Sequence, residues 1–266
     1  MTDIRVLRKK LIGKAKKQVQ EKYSGKETHV IRAAAVLQDL DACFNLLAEH
    51  CIEWYGMHFP ELQKLVKDNQ RILKLIYFLG ERKNFSEKKV SEHDEKNAKK
   101  VVAKAKKSIG GDFDEAVMKE IQLLALNALN IKEERDYLLK FIEKEIAKVA
   151  PNFSKIAGTM LAARMLEEAG SLKKLALMPS STMQVLGAEK ALFRHLRNKK
   201  AKPPKHGLIF IHPFVQKVGK AKRGKMARAI AGKLCIAAKE DFFGKKDISK
   251  QLLKSIEARF QQLKEK

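Results

Sequence analysis

A heptad pattern of apolar residues between Asp114 and Val149 predicts a long helix and, with it, a helical fold. Positions spaced alternately by four and three residues form one stripe: Val117, Ile121, Leu124, Ala128, Ile131, Arg135, Leu138, Ile142, Glu145 and Val149. Arg135 and Glu145 interrupt the apolar character, yet the pattern continues for nearly five heptads, as in a coiled-coil helix. Because one helix cannot bury such a stripe alone, we expect an antiparallel partner and place it in residues 61–105.

The sequence before Pro151 contains few prolines and glycines, and its apolar residues recur with helical spacing. This pattern predicts one helix over about 30–55 and another over about 61–79, with Pro60 at the start of the second. The polar segment 80–112 is interpreted as the partly flexible tip of a helical hairpin.

Beyond Pro151 the predicted elements are short. They are helices at 153–169, 179–195, 222–239 and 248–263, and one strand at Gly207–Ile211. The predicted fold class is therefore all-α, with a long antiparallel helical coiled coil followed by a compact, mostly helical domain that has at most one short strand. The predicted divisions are a basic N-terminal segment (1–27), the coiled coil (28–150) and the compact domain (151–266).

The chain carries a large excess of positive charge, concentrated in one place. Fifty-six Lys and Arg oppose thirty-one Asp and Glu, a formal net charge of +25. Residues 190–239, here called the basic tract, contain fifteen Lys or Arg and no Asp or Glu. A merely solubilising surface normally mixes both signs. The tract therefore predicts binding to a polyanion, and nucleic acid is the usual one inside a cell.

The helix predicted at 222–239 has two different faces. The apolar face holds Met226, Ile230, Leu234, Ala237 and Ala238. The basic face holds Lys222, Lys225, Arg228 and Lys239, with Lys233 at its flank. Gly232 lies among these cations, where a missing side chain suits either a close phosphate backbone or a closely packed helix.

The histidines of the basic tract allow several interpretations. His195, His206 and His212, with Cys235, have spacings that match no standard zinc pattern, so a metal site is not expected. His206 lies between Lys205 and Gly207, where its ring could stack on an unpaired base or serve as a surface or capping residue.

Signatures of catalysis and of membrane insertion are missing from the sequence. There is no GxxxxGK[ST] loop, GxSxG elbow, HExxH helix or GxGxxG after a strand. The basic tract also lacks the clustered carboxylates that hold Mg²⁺ in nucleases. No apolar run reaches the ~18 residues that a membrane span needs. Three scattered cysteines favour an intracellular protein without disulfides.

Several motifs resemble those of the Nop-domain family. The run from Met178 to Arg194, MPSSTMQVLGAEKALFR, is similar to the family signature with its GAEK and ALFR elements. PKHG at 204–207, HP at 212–213 and RGKMARA at 223–229 follow in the family's order. EWYGMHFPEL at 53–62 is similar to the element that opens the family's coiled coil, so the resemblance covers about residues 28–260.

The resemblance implies an RNA-binding scaffold of a box C/D guide ribonucleoprotein in the archaeal cytoplasm, with no catalytic site and no cofactor. In this family the Nop domain recognises a kink-turn RNA together with a small kink-turn-binding protein. The coiled coil pairs two copies into a homodimer, and fibrillarin performs the guided 2′-O-methylation of ribose. The alternatives are a spliceosomal Nop scaffold and an RNA-modifying enzyme.

The resemblance also implies which residues form the site. His206 matches the base-stacking histidine of the family, and Arg228 and Lys239 match RNA-contacting positions on the recognition helix. The full candidate set for RNA and partner binding is Ser180, Gly187, Lys190, Arg194, Lys205, His206, Arg223, Lys225, Arg228, Lys233 and Lys239.

Two departures from the family pattern change what we expect. Leu177 stands where relatives usually have Lys before Met-Pro, so a phosphate or partner contact is either missing or supplied elsewhere, with Lys174 as the candidate. Only about 27 residues precede the coiled coil, fewer than the fibrillarin-docking domain of the family needs. Either the sequence is a piece of a longer protein or the docking domain is absent or encoded separately, and the sequence leaves open whether this segment recruits fibrillarin.

Overall fold

The computed structural model describes residues 4–244 and 246–265, which contain α-helices and short 3₁₀ helices but no strand. The α-helices are α1 Ile4–Tyr23, α2 Lys26–Gly56, α3 Leu62–Leu65, α4 Asn69–Leu79, α5 Glu87–Asp94, α6 Ala98–Ala105, α7 Glu115–Val149, α8 Pro151–Ala157, α9 Thr159–Ala169, α10 Leu172–Leu177, α11 Ser180–Val185, α12 Glu189–Arg197, α13 Pro213–Lys217, α14 Arg223–Phe243 and α15 Ser249–Glu265. The 3₁₀ helices are Arg82–Asn84, Glu95–Asn97 and Leu208–Ile211. The predicted all-α fold class is confirmed.

The chain divides into two compact units. One is Leu37–Leu139, here called the 37–139 unit, and the other combines Met1–Val36 with Lys140–Lys266 and is called the terminal unit. Within the described residues, no helix combines the length and the apolar character needed to cross a membrane.

In the 37–139 unit, α2 and α7 run antiparallel. Asp41 of α2 accepts a hydrogen bond from Arg135 Nε at 2.8 Å, and Cys51 Sγ lies 3.7 Å from the Ile121 carbonyl oxygen. The pairing of residue 41 with 135 and of residue 51 with 121 shows that the two helices run in opposite directions. Every position of the predicted α7 stripe is buried or half-buried, including the two charged ones, so the heptad pattern is confirmed as a packing stripe.

The predicted partner of α7, residues 61–105, is wrong as a continuous arm. This segment breaks into α3, α4, α5 and α6, and local signals mark where α4 starts and ends and where α5 starts. Asp68 caps α4, Gly80 turns the chain at φ +58°, and Ser86 caps α5. Leu73, Leu75 and other apolar residues of α4 are nevertheless buried in the core that α2 and α7 share.

The segment 80–112 is packed, in contrast to the predicted partly flexible tip. Phe85, Val90 and Val101 are buried in the core of the unit. The loop before α7 is held by Arg82, whose guanidinium donates to the carbonyl oxygens of Ser108 and Gly110 at 3.4 and 2.9 Å and to the Asp112 carboxylate. The polar composition was misleading here because the exposed polar residues alternate with buried apolar ones, and because Arg82 binds backbone carbonyls of the loop.

The terminal unit is organised around α14. Its residues Met226, Ile230, Leu234, Ala237 and Ala238 are fully buried, as the apolar face of the predicted helix required. Around it pack α8, α10, α11, α13 and α15. Asp241 near the end of α14 accepts backbone hydrogen bonds from Asn152 at 3.0 Å and Phe153 at 2.8 Å, which satisfies free amides at the start of α8.

The predicted strand Gly207–Ile211 is wrong. Residues Leu208–Ile211 form a 3₁₀ helix, and only the amides of Gly207 and Leu208 pair with a neighbouring segment, at the carbonyls of Gln184 and Leu186. A short apolar run needs a strand beside it to extend a sheet, and none is present in the described residues. The chain turns instead, buries Ile209, and begins α13 at Pro213.

Candidate nucleic-acid interface

The basic tract of the terminal unit consists of α12, the connection 198–222 and most of α14. Within the part of the chain that the structure describes, none of its fifteen cations forms an ion pair. Most of these side chains are exposed, and Lys222, Arg223 and Lys233 are half-buried. The positive charge of the tract is therefore neutralised by solvent ions alone and is available to a polyanion.

Helix α12 presents a basic stripe next to an apolar one. Lys190, Arg194 and Arg197 are spaced by four and three residues and are exposed on one side. Phe193 and Leu196 are 57% and 62% exposed, and no residue of α12 is fully buried. A helix with this surface offers cations for phosphates beside apolar groups for bases or a partner protein.

Three side chains form a stack at the centre of the tract. The rings of His206 and Phe210 lie parallel, with centroids 4.7 Å apart and an interplanar angle of 15°. The guanidinium carbon of Arg223 is 5.2 Å from the centroid of the Phe210 ring, within cation–π range. Phe210 thus supports the His206 ring from behind and holds Arg223 beside it.

The protonation state of His206 follows from its surroundings. Burial lowers the pKa of the imidazole, and the neighbouring cations Arg223 and Lys205 lower this pKa further. These effects favour the neutral form of the ring at pH 7. A neutral, half-buried ring backed by another aromatic ring is suited to stacking on a nucleobase, whereas it adds no charge for phosphate binding.

Two glycines allow the His206 loop to lie directly on the segment before α12. The Gly207 amide donates to the Gln184 carbonyl at 2.9 Å, and Gln184 Nε2 donates to the Lys205 carbonyl at 2.7 Å. A Cβ on Gly207 would overlap the Leu186 carbonyl oxygen. Gly187 has φ +78°, and a Cβ there would come within 2.6 Å of the Leu208 side chain. The segment from Gln184 to Gly187 thereby holds the loop that carries His206.

Helix α14 displays its cations on one face. Lys225, Arg228 and Lys239 are all exposed and fall on the same side of the helix as Gly232. A Cβ on Gly232 would meet no atom within 4 Å, so close helix packing at this glycine is wrong. The helix backbone is open to an approaching ligand at this point, as the phosphate interpretation of Gly232 requires.

The remaining candidates are Ser180, Lys205 and Lys233. Ser180 is exposed at the start of α11, and the Lys205 side chain packs beside Gly224 at the start of α14. Lys233 lines a groove between α14 and α15 together with Arg259. Leu177 is 61% exposed, and Lys174, three residues before it on α10, is exposed as well.

The described residues contain no group of three or more His, Cys, Asp or Glu side chains that could hold a metal ion. His195 Nδ1 is 2.5 Å from the Ala201 carbonyl oxygen, and buried His212 is hydrogen-bonded to the Ile156 carbonyl oxygen at 3.1 Å. Both histidines thus have local roles in holding loops.

The sequence interpretation missed Phe210 and Gln184. Gln184 gave no signal, because its role depends on the fold bringing residue 205 beside it. Phe210 could have been noticed as an aromatic residue within a cation-rich segment, a combination common where bases stack. It was assigned to the apolar run of a strand, which hid its relation to His206.

Comparison with known proteins places these features in a family. The model of the Nop family, described as "snoRNA binding domain, fibrillarin", matches residues 36–262. The chain is 41% identical over 252 residues to an uncharacterized NOP5 family protein of Methanocaldococcus jannaschii, covering 94% of this chain and 60% of that protein. It is 34% identical over 238 residues to nucleolar protein 56 of Saccharomyces cerevisiae, covering 86% of this chain and 47% of that protein.

A solved structure is similar along nearly the whole chain. It is a crystal structure of a fibrillarin/Nop5p complex, with a TM-score of 0.55 and 27% sequence identity, covering 97% of this chain and 78% of the matched chain. The chain spans between about half and three fifths of the length of the two curated relatives above.

Proposed function

The chain belongs to the Nop family, and from this membership we propose that it is an RNA-binding scaffold of a box C/D-type guide ribonucleoprotein. One observation carries the proposal: the basic tract presents fifteen cations, with no ion pair to any of them in the described residues, around the neutral His206–Phe210 stack. Cations without counter-charges suit a phosphate backbone, and a supported ring suits an unpaired base.

The ligand we propose is a kink-turn RNA already bound by its small kink-turn-binding protein. A kink-turn exposes unpaired bases at a sharp bend, which His206 is suited to stack upon. Exposed Phe193 and Leu196 on α12 offer apolar contact for the bound protein beside the phosphate-binding Lys190 and Arg194. The proposed interface is therefore composite, and neither partner alone covers it.

Charge alone sets the salt dependence of this complex. About six phosphate contacts from the basic tract release about as many counterions, so affinity should fall roughly a thousandfold between about 50 and 200 mM salt. The chain supplies the RNA surface in this proposal, and the methyl transfer belongs to fibrillarin, which is named with Nop5p in the solved complex. We further propose that residues 28–150 pair two copies and that residues 151–266 bind RNA.

The test is a titration of the full chain against a kink-turn RNA, with and without the small kink-turn-binding protein. We expect tight binding only when both are present. The triple variant His206→Ala, Arg228→Ala, Lys239→Ala should weaken that complex at least a hundredfold without changing far-UV circular dichroism. The variant Lys88→Ala, Lys100→Ala removes two exposed cations of the 37–139 unit and should bind normally.

The opposite results are equally clear. Unchanged binding by the triple variant would refute the site. Equal affinity for duplex DNA and for the kink-turn complex would replace the proposed function with a general nucleic-acid-coating role. Turnover of RNA by the purified chain alone would make it an enzyme.

A further inference from the structure

Helix α1 stands apart from every other element in its exposure. All side chains described between Ile4 and Ser24 are exposed, and Ile4 and Leu11 reach 81% and 58%. Twenty residues form the helix, about 30 Å of length at 1.5 Å per residue. A helix of this length without packing is only marginally stable in water, so packing within the fold does not account for it.

The net charge of the protein lies almost entirely in two segments. The α1 sequence has eight Lys or Arg and one acid, Glu21, and so contributes +7. The basic tract contributes +15 of the total of +25, which leaves only +3 for all the other residues. No ion pair in the described chain involves the cations of α1. In charge and in lack of counter-charge, α1 matches the basic tract.

The arrangement of these cations indicates what kind of partner fits. At about 100° per residue, the cations from Arg8 to Lys22 are spread around the whole helix, with no gap larger than about 80°. Arg8 and Lys22 fall on the same side as Ile4 and Leu11. A lipid surface or a partner helix requires an apolar face kept free of charge. A folded RNA presents phosphates in several directions, so it can bind a helix that carries cations on all sides.

The local sequence also indicates that α1 gains stability from such a polyanion. Lys10 and Lys14 are like charges four residues apart, and Lys14 and Lys17 are three apart, so both pairs repel each other. Gly13 in the middle of the helix weakens it further, and its position is open to solvent. Phosphates between these lysines would turn the repulsion into attraction and complete the helix on binding.

Among the described residues, side-chain hydrogen bonds hold the C-terminal end of α1. Thr28 Oγ1 donates to the Lys22 carbonyl oxygen at 2.7 Å, and Ser24 Oγ donates to the Gln20 carbonyl oxygen at 3.0 Å. The carboxylate of Glu27 then accepts from the Leu172 amide at 2.5 Å, which connects the start of α2 to the start of α10. The helix is therefore an arm anchored to the terminal unit at one end.

We propose that α1 is a second RNA-binding element, which binds the phosphates of a duplex segment adjoining the RNA bound by the basic tract. This role rests on the RNA-binding function proposed above, and it adds a contact that the basic tract does not make.

The experiment compares two RNAs, both bound by the small kink-turn-binding protein. One is a minimal kink-turn, and the other carries a duplex extension longer than the about 30 Å of α1. The full chain should bind the extended RNA more tightly. The variant Lys10→Gln, Lys14→Gln, Lys17→Gln should lose this gain, which is a roughly ten- to a hundredfold lower affinity for the extended RNA at about 50 mM salt. The slope of log affinity against log salt concentration should be smaller by about three. Because glutamine removes the repulsion and favours helix, the loss cannot come from unfolding of α1.

The matched control removes three apolar side chains and keeps the charge. Leu7→Gln, Leu11→Gln, Val19→Gln should bind the extended RNA as the wild type does. A loss in this variant, with normal binding by the lysine variant, would overturn the proposal and assign α1 to a protein or lipid partner.

A second measurement tests the coupling between folding and binding. Gly13→Ala raises the helix propensity of α1 without changing its charge. It should therefore raise the affinity for the extended RNA up to about fivefold and leave the affinity for the minimal RNA unchanged. If the wild-type chain binds the minimal complex but binds the extended RNA no more tightly, the proposed role of α1 is wrong and the proposed function still stands. Failure to bind even the minimal complex would overturn the proposed function itself.

Discussion

His206 shows how one residue depends on its neighbours for its role. Its ring is parallel to Phe210 and is kept neutral by burial and by Arg223. If stacking on a base is its function, His206→Phe should keep the affinity for the kink-turn complex, whereas His206→Ala should lose roughly ten- to a hundredfold. Fluorescence titration at pH 7 measures both. A phenylalanine variant as weak as the alanine variant would show that a ring nitrogen, and not the ring face, makes the contact.

Gly187 and Gly232 of the terminal unit should respond in opposite ways to replacement by alanine. Gly187→Ala places a Cβ 2.6 Å from the Leu208 side chain in a left-handed backbone conformation, so we expect a loss of about 2 kcal/mol in the free energy of unfolding. Gly232→Ala meets open space within α14 and should add about 0.5–1 kcal/mol of stability. Urea denaturation measures both changes. Destabilisation by Gly232→Ala would show that this helix face is covered.

Burial of histidines makes the folded state sensitive to acid. Desolvation lowers the pKa of His58, His206 and His212 below their ordinary value of 6.5, so the folded chain resists their protonation while the unfolded chain does not. The unfolded state then binds more protons, and the free energy of unfolding should fall as the pH drops below about 6.5. Urea denaturation between pH 7.5 and 5.5 measures the slope. His58→Gln should flatten it, and the exposed His29→Gln should leave it unchanged.

At the level of elements, Arg82 holds the loop that precedes α7. Its guanidinium is 14% exposed and contacts two carbonyls and the Asp112 carboxylate. Arg82→Ala leaves these acceptors without a donor and should cost about 2–3 kcal/mol of unfolding free energy. Lys83→Ala, at the neighbouring exposed site, should cost less than about 0.5 kcal/mol. Faster amide exchange at residues 108–112 in the Arg82 variant alone would confirm the local cause.

The elements that the sequence predicted well are those whose burial repeats at a fixed period. The stripe of α7 and the apolar face of α14 were correct because one long helix buries every turn in the same direction. The partner of α7 was misplaced because Asp68 and Gly80 set the start and end of α4 and Ser86 sets the start of α5, and these local signals carried less weight than the apolar content of 61–105. The 3₁₀ helix at Leu208–Ile211 was misassigned because four residues are too few to show a period.

The candidate site follows the same division. The exposed cations of the basic tract could be predicted, because a run without acids needs no knowledge of the fold to attract phosphate. The contact of Gln184 with the Lys205 carbonyl and the support of His206 by Phe210 depend on which loops meet. The spacing of residues in the sequence does not predict which loops come into contact. Only Gly187 and Gly207, which permit the close approach, are visible in the sequence.

Across the whole molecule, charge and stability oppose each other. The basic tract and α1 hold +22 of the net +25, and neither segment has an ion pair to any of its cations in the described part of the chain. The free protein is therefore destabilised by self-repulsion, which salt screens over a Debye length of about 10 Å at 0.1 M. Binding to RNA relies on the same charges, so salt weakens it.

These opposite effects give a prediction for the free chain and its complex. Between about 50 and 500 mM NaCl, the melting temperature of the free protein should rise by several degrees, while the affinity for the RNA complex falls by orders of magnitude. Heparin at 50 mM salt should raise the melting temperature as NaCl does, because a polyanion supplies the missing counter-charge directly. Scanning calorimetry measures the melting temperature in NaCl and in heparin. The Lys10→Gln, Lys14→Gln, Lys17→Gln variant has less repulsion and should respond less to salt. A melting temperature that falls with added NaCl would mean that the ion pairs elsewhere in the chain, such as Asp41–Arg135, outweigh the repulsion within the two basic segments.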